Sequence, residues 1–134
     1  MTSLEDIEGI ASGYAGKLHA AGVGSVEALL EQGGTAKGRQ ALAAASGIAD
    51  GHLLKWVNHA DLFRLKGVGG EYAELLEGAG VDTVAELAQR NAANLTERLA
   101  EINDAKHLVR SVPGLSQVES WITQAKALPR AVSH

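Results

Sequence analysis

The residues best placed to do chemistry lie in one short run, Arg64-Leu65-Lys66-Gly67-Val68-Gly69-Gly70. Two glycines around a single apolar residue make a sharp turn with no side chains over it, and a helix is expected to start at position 70. The amides of Val68, Gly69 and Gly70 then stand at a helix start without intrahelical partners. Such amides, helped by the helix dipole, favour an anion. Arg64 and Lys66 precede the turn and supply charge-assisted contacts to a phosphate. The chemistry expected here is capture of an anion. A second, lesser phosphate contact is expected at Lys37 and Arg39, in the first turn of a helix capped by Thr35. The same Gly-apolar-Gly turn also joins two packed helices with no ligand at all. Glu71 and Glu74, just after the turn, suit the dipole but repel phosphate.

Other chemistries have little support. Cysteine is absent, which excludes disulfides, thiolate catalysis and Cys-based zinc sites. His52 and His59 are seven residues apart, about 10 Å along a helix, too far to share a metal. Gly33-Gly-Thr-Ala-Lys-Gly-Arg-Gln lacks the Lys-Ser/Thr pair of a phosphate loop and follows no strand. No nucleophile elbow is visible. No catalytic residue, metal site or cofactor is therefore expected, and the protein reads as non-enzymatic. His52, His59 and His107 are expected at the surface or its boundary.

The elements that must hold the turn come in two similar copies. Residues 7–31 and 65–89 match at nine of 25 positions, among them Gly9/Gly67, Tyr14/Tyr72, Leu18/Leu76 and Gly22/Gly80. Such internal similarity points to one structural unit used twice. The first copy has Ala11 where the second has Gly69, and Glu5, Asp6 and Glu8 flank it, so nucleic-acid contact is not expected there. Tyr14 and Tyr72 are expected to pack inward with the hydroxyl on a backbone partner. Trp56 and Trp121 are expected as core anchors.

Alanine and leucine dominate, and no stretch alternates as a strand would. Helices are expected near 3–8, 12–21, 25–32, 36–46, 50–63, 70–78, 83–90, 94–108 and 116–128. Capping boxes are expected at Thr2-x-x-Glu5, Thr83-x-x-Glu86, Asn94-x-x-Glu97 and Ser116-x-x-Glu119. Glycines 9, 22, 33, 47, 67, 80 and 114 mark the breaks. The fold class expected is all-α: two repeats of short helices, about 3–48 and 50–128, fused into one compact domain over 1–130, with a frayed tail at 131–134.

The chain has 134 residues, 12 Lys+Arg and 16 Asp+Glu, a formal net charge of −4. That balance argues against tight nucleic-acid binding driven by overall charge. No apolar run approaches the ~20 residues of a membrane span, and no export signal opens the sequence. A cytoplasmic protein without membrane contact is expected.

The run from Leu65 to Leu76 resembles the helix-hairpin-helix motif. Over residues 4–130 the chain resembles a family of uncharacterised bacterial proteins built from tandem repeats of that motif. The resemblance rests on Ile7-Glu-Gly-Ile, Thr35-Ala-Lys-Gly-Arg, Lys55-Trp-Val-Asn-His-Ala-Asp-Leu-Phe-Arg, Gly67-Val-Gly, Ala79-Gly-Val-Asp-Thr-Val, Leu87-Ala-Gln-Arg-Asn and Val118-x-x-Trp-Ile-x-Gln-Ala. It implies weak, sequence-independent binding of DNA or RNA backbone at the second hairpin, through Arg64, Lys66, Gly67, Val68, Gly69 and Gly70. The alternative is a scaffold or module that binds a protein partner. Nucleic-acid binding would gather Arg64, Lys66, Lys37, Arg39, Arg98, Lys106 and Arg110 on one face. A partner-binding module would expose an apolar patch.

Overall fold

The computed structural model covers residues 1–134 and is all-helical. After a 3-10 turn at Leu4–Asp6 come α1 (Ser12–Ala20), α2 (Val26–Gly33), α3 (Ala36–Ser46) and α4 (Asp50–Leu62). Then follow α5 (Gly70–Gly78), α6 (Val84–Leu87), α7 (Ala92–Lys106) and α8 (Leu115–Ala127). No helix is long and apolar enough to cross a membrane.

Local chemistry explains most boundaries. Ser25, Thr35, Thr83 and Asn91 cap α2, α3, α6 and α7, each accepting from the amide three residues on, at 3.0–3.3 Å. Three of the four expected capping boxes are corrected. Thr2 bonds to Glu27 instead, through its amide and its hydroxyl, both at 2.8 Å. The α7 cap is Asn91 rather than Asn94, because the helix starts a turn early. Gly114, not Ser116, precedes α8 and offers no side chain. Gly33 and Gly114 are also not left-handed stops. His107 ends α7 at φ +51°.

The chain divides into two units, one of residues 1–61 with 131–134 and the other of residues 62–130. In the first, α2 and α1 pack on α3, over buried Leu18, Val23, Leu29, Leu42, Leu53 and Val57. In the second, α7 and α6 pack on α8 and α5 packs on α7, around Leu76, Val81, Leu87, Leu95, Leu99 and Trp121. The apolar positions recur at helical spacing, so each short helix turns one face inward.

The tail at 131–134, expected to fray, is anchored in the first unit. Val132 is buried, and the Ser133 amide donates to the Gly34 carbonyl at 2.8 Å. Arg39 holds the same strand: Nη2 donates to the Ser133 carbonyl at 2.6 Å, and Nη1 to the carbonyls of Gly33 and Gly34 at 3.0 and 3.1 Å. Its guanidinium is a clamp made of charge-assisted bonds.

Candidate functional site

At the second hairpin, Leu65 and Val68 are buried and pull the turn onto the core. Gly67 sits at φ +91°, a conformation that costs little only for glycine. A Cβ on Gly67 would stand 3.3 Å from Nε1 of Trp121, so the indole also closes over the turn. Gln124 on α8 grips the backbone of Lys66. Its Oε1 accepts from the Lys66 amide at 2.8 Å, and its Nε2 approaches the Lys66 carbonyl at 3.5 Å.

Two expectations about this turn need correction. The Val68 amide is spent on the Leu65 carbonyl at 3.3 Å. The donors left at the helix start are those of Gly69, Gly70, Glu71 and Tyr72, ahead of the first α5 bond, Ala73 to Gly69 at 2.9 Å. Gly69 itself is extended, φ −108° and ψ −164°, with nothing within 4 Å of a Cβ there. It marks an open surface, not a conformational need. Ala11, its counterpart in the first copy, has the same role before α1 at φ −94° and ψ 179°.

The cations differ in what holds them. Lys66 is exposed beside the turn. Arg64 is half-buried and donates from Nη2 to the Pro129 carbonyl at 2.8 Å. Lys37 is exposed in the first turn of α3. Arg39, expected as a phosphate contact, is only 6 % exposed and committed to the tail. Arg98 pairs with Glu101 at 3.3 Å. Of the expected site, Lys66 is left exposed and the amides of Gly69 and Gly70 are left without helical partners.

The first hairpin repeats the turn with different surroundings. Gly9 lies at φ +96° under Nε1 of Trp56, 3.2 Å from a Cβ position. Tyr14 packs edge-on against Trp56, with centroids 4.9 Å apart, and against His52 at 5.6 Å. The Lys17 ammonium lies 5.6 Å from the Tyr14 centroid. A hollow of about 360 Å³ opens here, lined by Ala11, Gly13, Tyr14 and Lys17. Both tryptophans are core residues, as expected.

Three features lie outside what the sequence leads one to expect. His59 is fully buried near the end of α4, with Asn58 and Asp61 beside it in sequence and also buried. A groove of about 600 Å³ runs between α6 and α8, floored by Ala85, Ala88 and Ala125 and bordered by Lys126 and Arg130. Neither has a sequence signal beyond helical spacing. Thirdly, the Glu27 carboxyl is held below its ordinary value, chiefly by the Thr2 amide and then by the Thr2 hydroxyl.

No curated protein and no solved structure matches the chain. A domain family of unknown function, DUF4332, matches residues 8–128. Spanning nearly the whole sequence, that match establishes that the chain belongs to the DUF4332 family.

Proposed function

We propose that this is a non-enzymatic tandem helix-hairpin-helix protein that binds nucleic-acid backbone weakly and without sequence preference through its second hairpin. One observation carries the reading. Gln124 fixes the backbone at Lys66, while the Lys66 side chain and the space above Gly69 stay open to solvent. A phosphate at that spot meets the amides of Gly69, Gly70 and Glu71 and one ammonium group. With a single free cation and Glu71 on the same turn, binding is weak and falls only gently with salt, as one neutralised phosphate implies.

The test is titration of labelled single-stranded DNA, duplex DNA and RNA with the full chain over a salt series. Gly69→Glu and Lys66→Glu are expected to abolish binding at unchanged helical content, and Lys37→Glu to leave it intact. Absence of binding at low salt, or equal loss in all three variants, overturns the reading. A module that binds a protein is the second reading. It is favoured by Val112 and Leu115, 39 % and 46 % exposed just ahead of and at the start of α8.

A further inference from the structure

The two hairpins differ in what covers the tyrosine. In the second unit the connection between α7 and α8 runs from 107 to 114, and its Ser111 carbonyl accepts from the Tyr72 hydroxyl at 2.8 Å. Pro113 in the same stretch is buried. In the first unit the corresponding connection, between α3 and α4, is only 47–49. It is too short to supply such a stretch, and Tyr14 lines the hollow with its hydroxyl making no hydrogen bond within the chain.

The surface around Tyr14 is also cleared. Positions 13 and 16 are glycines with nothing within 4 Å of a Cβ, where the second copy carries Glu71 and Glu74. Two exposed glycines weaken a helix, by about 1 kcal/mol each relative to Ala, so local stability does not account for them. Ala11 offers α1 no side-chain cap, and no acidic residue stands in its first turn. The α1 amides at that end therefore remain available to carbonyl oxygens. His52 adds an exposed ring beside Tyr14. Aromatic walls with a hydroxyl donor and a bare rim are what an extended, proline-containing peptide requires, since it arrives preordered and presents outward carbonyls.

We propose that the first hairpin is a docking site for an extended, proline-containing segment of a partner protein, which lies across Tyr14 as the 111–113 stretch lies on Tyr72. A partner carbonyl accepts from the Tyr14 hydroxyl, further carbonyls meet the first amides of α1, and the proline ring fills the hollow beside Gly13 and Lys17. The internal counterpart defines the occupant: Ser-Val-Pro-Gly, neutral, non-helical and with its proline buried, is the stretch that gives the equivalent tyrosine its carbonyl. A neutral segment also suits a surface with one lysine and the carboxylates of Glu5, Asp6 and Glu8 close by in sequence. The proposal is independent of the nucleic-acid reading, which concerns the other hairpin.

The probe is a synthetic peptide of this chain's own residues 111–115, Ser-Val-Pro-Gly-Leu, blocked at both ends, added to the full-length protein and followed by amide chemical shifts. Saturable shifts are expected at Gly13, Tyr14, Lys17 and His52. Tyr14→Phe, which removes one oxygen from a half-buried ring, is expected to weaken binding about fivefold. Gly13→Gln, which fills the hollow from an open helical position, is expected to abolish it with no loss of thermal stability. A peptide with alanine for proline is expected to bind more weakly. The proposal is overturned by the absence of saturation up to about 2 mM, by shifts centred elsewhere, or by binding indifferent to both protein variants.

Discussion

Trp121 closes over Gly67 so tightly that its indole nitrogen lies 3.3 Å from where a Cβ would stand, and Trp56 does the same to Gly9 at 3.2 Å. In each hairpin an aromatic anchor from a helix distant in sequence rests on the one turn residue that lacks a side chain. The glycine is thus fixed twice, by its positive φ and by its neighbour.

Gly67→Ala should accordingly destabilise by about 1–3 kcal/mol, because strain at positive φ adds to the indole contact. Gly69→Ser should change stability by no more than about 0.5 kcal/mol, since the position is open, extended and an N-cap. Urea unfolding of both variants checks the pair, and equal effects would contradict the division of roles.

Removal of the Arg39 guanidinium leaves three carbonyls without their charged donor. Arg39→Ala should cost about 2–4 kcal/mol and Arg39→Lys less, as an ammonium cannot span the three acceptors. Amide exchange at Val132 and Ser133 should accelerate more than exchange in α7 or α8. Unchanged protection of the tail would show that burial of Val132 alone holds it.

Asn103, on α7, spans the following loop with a pair of bonds. Its Nδ2 donates to the Val109 carbonyl at 3.1 Å, and its Oδ1 accepts from the Val109 amide at 2.9 Å. Asn103→Ala should destabilise by about 2 kcal/mol, because both backbone groups of buried Val109 lose their partner. Nuclear magnetic resonance should place the largest shift changes at 107–111.

The depressed Glu27 carboxyl gives the amino-terminal segment a pH dependence. A group whose folded pKa lies below its ordinary value contributes stability above that value, and the contribution disappears as pH falls through the depressed one. Acidification should therefore loosen Thr2 before the rest of the unit, followed as accelerated exchange of its amide. Glu27→Gln should remove that acid-side step. The carboxyl is largely exposed, so global stability should hardly respond.

Helix positions were legible in the sequence because capping residues and apolar spacing are local: α3 and α5 lie where they are expected. The second-hairpin turn was legible for the same reason. What escaped depended on distant partners. Arg39 reads as a solvent-facing cation in a first turn until Ser133, 94 residues on, takes its charge. His59 reads as a boundary residue because its polar ring outweighs the only signal of burial, the apolar Trp56 and Leu62 three residues to either side. Val68 and Gly69 were misjudged more narrowly, since counting amides at a turn requires knowing which carbonyl folds back.

The anchored tail also sets an order of assembly. Residues 62–130 are continuous in sequence, whereas the first unit is closed by a strand made after them. During synthesis the second unit can complete its core while the first still lacks Val132 and leaves Nη2 of Arg39 without the Ser133 carbonyl. The amino-terminal unit is thus closed only after the second has been made, and any extension joined directly after His134 begins two residues past the carbonyl that Arg39 holds.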